Sequence, residues 1–417
     1  MADDDLKGSW LERPAHREWL EDESRRLLRF AAASRLERGG FGMLDEAGRL
    51  PPSAEADTLF TARAAHCYAV AALRGVPGAK PLADHGVASL RSGLLRDEAR
   101  GGWFESERAK RENGRKTAYI QMFVALAASS ALLAGCDGAR ALLDEVLTLI
   151  EARFWSNDEG RVLESYADDW SDLEDYRGGN SNMHATEAFL AVADATGDEV
   201  WLERALSIVR ELIHEGASAS GYHVTEHYRA DWTPWPNYNQ DDPAHSFRPF
   251  GITPGHAFEW SRLALGVEGS LRRAGRDAPD WLASDARALF EAALAVGWAP
   301  DGRPGIVYTA DWAGRPVVDA RLHWPVTEAI SAASMLLRRT GDPLFERWYR
   351  RLWDYAETYL IDRDKGSWRH ELDALNRPAA AIWPGKPDLY HAYQATILPL
   401  LGPAPALARA VADQGGA

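Results

Sequence analysis

The sequence predicts an all-α protein, an (α/α)6 barrel of twelve helices with short β-hairpins in the loops at one mouth. Three observations predict it. Helical periodicity dominates the 417 residues, strand-like sequence is confined to short connections, and a conspicuous polar residue recurs near the start of every second helix. Apolar spacing, caps and breakers place the helices at 15–36, 55–75, 81–96, 116–135, 138–155, 183–196, 199–216, 254–274, 279–297, 325–340, 343–361 and 388–401. The recurring residues are Arg63, Tyr119, His184, His256, Glu328 and His391, separated by 56, 65, 72, 72 and 63 positions, one helix pair each. Six helical hairpins closing into a toroid would put six parallel helices inside, with all their starts at one mouth. That arrangement gathers the six side chains into one pocket. No low-complexity linker divides the chain, so residues 1–417 read as one barrel domain.

In chain order, the helix over 55–75 carries Arg63 within Thr61-Ala62-Arg63-Ala64-Ala65-His66-Cys67-Tyr68. An Arg among small apolar residues either snorkels outward or holds an anion or hydroxyls within. Tyr119 reads equally as a core residue. The next inner helix opens Asn180-Ser181-Asn182-Met183-His184, with Asn182 as its expected N-cap. Gly221 to Gly251, rich in Pro, Trp, Tyr and His, is the longest break between helices, and such breaks usually carry function. Thr253 then caps a helix with Pro254 at its first position. Gly305 to Thr309, Ala313-Gly314 and Pro316 to Val318 read as a hairpin. Glu328 follows Trp324-Pro325-Val326-Thr327 in a first helical turn, where the dipole stabilises a carboxylate whatever its function. Asp388 caps the last helix ahead of His391.

Histidines at helix starts are disfavoured as imidazolium and so stay able to accept a proton. His184 and His256 each have a glutamate three residues on, Glu187 and Glu259, which fits an acid/base held by a carboxylate. One such pair would ordinarily be a core histidine beside a solvated glutamate. Repetition at equivalent places changes that reading. His391, followed by Ala392, Tyr393 and Gln394, rests on position alone. No metal is expected, because H-x-x-E reverses the order of di-iron bundles and no H-E-x-x-H occurs. No cofactor is expected either, since the chain has no P-loop or G-x-G-x-x-G, and G-x-S-x-G is absent. An inverting glycosidase would need carboxylates about 6.5–9.5 Å apart, which Glu259 and Glu328 could supply, but it leaves three histidines without a role.

The charge balance is 47 basic against 62 acidic residues, net −15, with no basic run, which excludes nucleic acid and anionic membrane as partners. The start Met1-Ala2-Asp3-Asp4-Asp5 lacks the layout of a signal peptide, and Cys67 and Cys136 form no redox motif, so a cytoplasmic chain is expected. Monomer and homodimer are equally compatible with it. Of 17 tryptophans, Trp103, Trp232, Trp235, Trp312, Trp368 and Trp383 fall in loop-like sequence, where indole rings stack on sugars or simply fill a core.

Five stretches are distinctive: Arg177-Gly178-Gly179-Asn180-x-Asn182-Met183-His184-Ala185-x-Glu187-Ala188-Phe189, Asp242-Pro243-Ala244-His245, Thr253-Pro254-Gly255-His256-x-x-Glu259-Trp260, Trp298-Ala299-Pro300-Asp301-Gly302, and Gly366-Ser367-Trp368. Through them nearly the whole chain resembles the N-acylglucosamine 2-epimerase superfamily, in its aldose–ketose isomerase branch. The resemblance implies an (α/α)6 barrel that interconverts free aldoses and ketoses without a metal. It places proton transfer on His256 and His391 with Glu259 in support, and substrate contacts on Arg63, Tyr119, Asn180, His184, Glu328 and Trp324. Sulfoquinovose isomerases of the branch hold a sulfonate with a basic residue and two glutamines, and here those positions are Ser246, His370 and Pro387. Losing an arginine fork removes a charge-assisted anchor. The implied substrate is therefore a neutral monosaccharide, with D-mannose and D-fructose exchanging through a cis-enediol. A 2-epimerase, a sulfoquinovose-type isomerase and a non-catalytic sugar-binding protein are the alternatives.

Overall fold

Two kinds of helix alternate along the chain, and the difference between them builds the barrel. The computed structural model describes residues 8–402 and 406–415. In order its helices are α1 (Pro14–Ala31), α2 (Thr58–Leu73), α3 (Ala79–Arg91), α4 (Glu107–Arg111), α5 (Ala118–Leu133), α6 (Ala139–Leu149), α7 (Gly179–Thr196), α8 (Glu199–Val209), α9 (Pro254–Arg273), α10 (Trp281–Gly297), α11 (His323–Thr340), α12 (Pro343–Tyr355), α13 (Tyr390–Ile397) and α14 (Leu407–Gly415). Helices α2, α5, α7, α9, α11 and α13 are buried on nearly every side, whereas α1, α3, α6, α8, α10 and α12 bury a single stripe.

The all-round apolar helices form the inner ring. Each packs on the next, and α13 returns to α2. Outside them, α3, α6, α8, α10 and α12 each pack on the inner helix that precedes them, and α1 packs on α13. The result is the expected six-inside, six-outside barrel, with one apolar core running from Leu11 to Val411. All twelve expected helices are present. Two lay outside the reading, the five-residue α4 capped by Ser106 and the nine-residue α14, which buries Leu407, Ala408, Ala410 and Val411. Helix α14 packs on α2, α5 and α7 at the end away from the mouth.

Connections from inner to outer helices are tight; α7 and α11 end in Gly197 (φ 76°) and Gly341 (φ 69°), whose left-handed backbone returns an N–H to Ala193 and Leu337. Connections from outer to inner helices are long and gather at the mouth. Two-residue antiparallel pairs steer three of them into inner helices: Lys116–Thr117 with Ser165–Tyr166, Arg177–Gly178 with His227–Tyr228, and Arg321–Leu322 with Glu371–Leu372. The expected hairpin forms between Thr309–Ala310 and Pro316–Val318. Trp103 and Trp368 lie in connections, as expected, and there fill the core: both are fully buried. Cys67 and Cys136 are buried and free. Among the described residues no helix is long and apolar enough to cross a membrane.

Candidate active site

The position of each side chain within its helix sets its depth below the mouth. Tyr119, His256 and His391 are the second, third and second residues of α5, α9 and α13; Arg63, His184 and Glu328 are each the sixth residue of α2, α7 and α11. The two sets alternate round the ring, three at mouth level and three a turn deeper. Two expected caps shift accordingly. Helix α7 begins at Gly179, so Asn182 is inside it, donating to Gly178 O at 3.0 Å and Val162 O at 3.2 Å. His184 and Glu328 therefore lie in second turns, not first ones. The N-cap of α13 is Leu389, but Oδ1 of Asp388 still accepts from Tyr390 N–H at 2.9 Å.

One small cavity, about 50 Å³, receives Arg63, Tyr119, Asn180, His184, His256, Glu259, Trp324 and His391, every expected site residue except Glu328. Ser246, His370 and Pro387 line it too. The Trp324 ring stands between the two mouth-level histidines, its centroid 5.1 Å from His256 and 5.9 Å from His391. Gly255 makes that placement feasible, because a Cβ there would come within 2.3 Å of the indole. Arg63 is buried inward, not snorkelling: Nη2 is 3.2 Å from the Tyr119 hydroxyl and 3.5 Å from His391 Nε2. Its guanidinium sits over Phe123 and Tyr390.

Carboxylates back both histidines, although none was expected for His391 and Glu259 was expected for His256. His391 Nδ1 is hydrogen-bonded to Glu328 Oε1 at 2.9 Å, and Glu328 Oε2 accepts from Arg262 Nε at 2.8 Å. Both Glu328 oxygens are thus engaged behind the histidine, which corrects its expected role as a substrate contact and removes it from any glycosidase pair with Glu259. His256 Nδ1 lies 2.9 Å from Oε2 of Glu226, in the Gly221–Gly251 break. Glu259, expected to hold His256, lies a full turn deeper and faces Arg262 Nη2 at 3.3 Å and His184 Nδ1 at 3.8 Å. Glu328 takes Nδ1 of His391, whereas Glu226 stands beside Nδ1 of His256 without hydrogen-bond geometry.

Five further residues complete the site: Glu226, Arg262, His323, His370 and Asp388. Arg262, in the third turn of α9, contacts Glu187 at 3.2 Å as well as Glu259 and Glu328. Asp388 lines the cavity with Oδ2 at 3.1 Å from His323 Nε2 and 4.0 Å from His391 Nε2, and Oδ1 at 3.6 Å from Arg63. His323 and His370 stack at 4.2 Å.

Burial sets most of the charge states. It lowers His184 to about 4 and carries His370 well below the usual imidazole range. It also lowers His391, against the opposing pull of Asp388 and Glu328. Burial would raise Asp388, but attraction to His391 when that ring is protonated, to Arg63 and to His323 holds it well below the carboxylate range. Burial and the neighbouring Glu328 push Glu259 well above it. His184, Glu187 and Glu259 bring ligand-type atoms within 4.8 Å of one another. The Arg262 guanidinium already bonds both of those carboxylates, so the set fits an internal ion-pair network better than a metal.

Fold and site together define an (α/α)6-barrel enzyme with a histidine-lined pocket. Residues 39–395 match the family described as N-acylglucosamine 2-epimerase (GlcNAc 2-epimerase), and the chain belongs to that family. It is similar to a D-mannose isomerase of Pseudomonas cannabina pv. alisalensis, 56% identical over 404 residues, 97% of each chain. A D-mannose isomerase of Thermobifida fusca is 51% identical over 409 residues, 97% of this chain and 99% of its own. A crystal structure of D-mannose isomerase superposes with a TM-score of 0.84 at 28% identity, covering 93% of this chain and 99% of its own.

Proposed function

We propose that this chain is an aldose–ketose isomerase that interconverts D-mannose and D-fructose, by histidine acid/base catalysis through a cis-enediol and without a metal. Near-full-length similarity to two D-mannose isomerases supports the substrate. The observation that carries the mechanism is the pair His256 and His391, each with Nδ1 against a buried carboxylate, either side of Trp324 in one cavity.

The reaction opens the sugar ring, removes the C2 proton and returns it to C1. Both carbons present the same face of the enediol, so one base carries the proton across, and Nε2 of His391 takes that part. His256 exchanges protons with O5 during opening and with O1 and O2 during enediol formation. Charge builds on those oxygens, and Arg63 with the Tyr119 hydroxyl supplies donors held in place beforehand. Asn180 and His184 hold hydroxyls, and Trp324 offers an apolar face to the ring.

The test is mannose turnover in EDTA and D2O, with label located in the product. Label at fructose C1 is expected only in the fraction of turnovers in which the shuttle exchanges its proton with solvent before returning it, with rates unchanged by chelator. His391→Ala and His256→Ala should each lower kcat at least ~10²-fold in folded protein. Near-normal turnover by His391→Ala would sink the shuttle assignment, and loss of activity in EDTA would sink the metal-free mechanism.

A further inference from the structure

Two histidines of the catalytic cavity, His323 and His370, take no part in proton transfer. His323 opens α11, and the pairing of Arg321–Leu322 with Glu371–Leu372 brings His370 against it. Its backbone N–H donates to His370 O at 3.1 Å, and the two rings stack at 4.2 Å with 11° between their planes. The ring is 4% exposed, and both of its nitrogens are engaged. Nδ1 lies 3.4 Å from His370 O, and Nε2 lies 3.1 Å from Oδ2 of Asp388. Both partners are acceptors, so the ring makes the two bonds as a double donor and keeps nothing for a sugar hydroxyl.

His323 therefore acts through Asp388. That buried carboxylate accepts from Tyr390 N–H on Oδ1 at 2.9 Å and from His323 on Oδ2. Arg63 Nη1 stands off Oδ1 at 3.6 Å, beyond hydrogen-bond distance. The gap matters, because a guanidinium forked onto a carboxylate has its donors taken. Take His323 away, and Oδ2 becomes a buried oxygen short of a donor, which is costly. Arg63 is the guanidinium within reach, so the carboxylate would close on it.

We propose that His323 is a positioning residue, which holds the Asp388 carboxylate off Arg63 and so leaves the guanidinium free for the enediol oxygens. The proposal rests on the isomerase reading, in which Arg63 meets those oxygens as charge builds on them. His323 touches no reacting atom in this role. It sets where a neighbouring anion stands.

Two amides of different reach test this in the full chain. The amide nitrogen of His323→Asn stands where Nδ1 does and reaches only His370 O. That of His323→Gln stands where Nε2 does and reaches Asp388. His323→Asn should lower kcat for mannose about tenfold with KM within about twofold, and His323→Gln should restore kcat to within about threefold of wild type. In an Asp388→Asn background, His323→Asn should cost less than about twofold more, since a neutral amide does not pair with Arg63. A crystal structure of His323→Asn should show Asp388 within about 3.2 Å of Arg63. His323→Phe, which has no donor, takes its place should His323→Asn fail to fold. A His323→Gln no better than His323→Asn, additive losses in the double variant, or an unmoved Asp388 overturns the proposal. Failure of wild-type protein to turn over mannose overturns the isomerase reading instead, and the crystal structure still decides whether His323 holds Asp388.

Discussion

Glu226 Oε2 lies 2.9 Å from Nδ1 of His256, although the two are 30 residues apart and Glu259 is only three residues from the same ring. A glutamate three residues on lies a turn deeper in the barrel, below the level of the imidazole. The long mouth loop supplies a carboxylate at the right height. A hydrogen bond from Nδ1 to this carboxylate, for which 2.9 Å is the right separation, would put the ring proton on Nδ1 and the lone pair on Nε2. Glu226→Gln should therefore lower kcat by about 10- to 10²-fold with little change in helical circular dichroism. A kcat within twofold of wild type would show that His256 does not depend on this partner.

This pair also marks where the sequence stops being readable. Arg63, Tyr119, His184, His256, Glu328 and His391 were legible because each sits in the first or second turn of a periodic inner helix, and the ring repeats those two depths. Glu226 has no such register, since a loop residue is placed by tertiary packing alone. Arg262 hides as one charge in the third turn of a helix, where spacing from His256 gives no reason to turn it inward. Asp388 showed only its capping signal, though its second oxygen serves the site. Glu328 was found by position but misread in role, because its partner His391 is 63 residues away on the neighbouring helix.

Arg262 holds three buried carboxylates, Glu187, Glu259 and Glu328, at 3.2, 3.3 and 2.8 Å. Removing the guanidinium leaves the charges of Glu187 and Glu328 uncompensated below the catalytic floor, Glu259 being pushed toward its neutral form by burial and Glu328. Arg262→Met should cost about 3–5 kcal/mol in folding free energy, measured by urea unfolding. A loss below about 1 kcal/mol would mean that the carboxylates redistribute protons without it.

Several histidines are buried neutral, and this fixes the sign of the acid response. Burial lowers His16, His66 and His184 to about 4 each from an unfolded value near 6.5. Between those values the unfolded chain takes up protons that the folded chain declines. The stability contribution is complete above pH 6.5 and is lost as pH falls toward 4. Thermal melts should show Tm falling through this window, and His66→Gln should flatten the slope, because this ring bonds only Ser130 Oγ, at 2.7 Å. An unchanged slope in that variant would remove His66 from the response.

Asp388 should govern the acid limb of the activity profile. His391 must be neutral to accept the C2 proton, and burial already lowers its pKa, opposed by the nearby Asp388 and Glu328 carboxylates. Asp388 Oδ2 stands 4.0 Å from Nε2, the atom assigned to the shuttle. Asp388→Asn removes that negative charge and frees Arg63, whose Nη2 is 3.5 Å from the same nitrogen. Both changes disfavour imidazolium, so the pKa moves further down and the acid limb of kcat/KM shifts to lower pH. The protonated shuttle is an intermediate of the reaction, so the same change lowers kcat on the plateau, by roughly tenfold for each pH unit the limb moves. Profiles of the two proteins from pH 4 to 8 measure both effects. A limb that moved to higher pH would place the titrating group elsewhere than on His391.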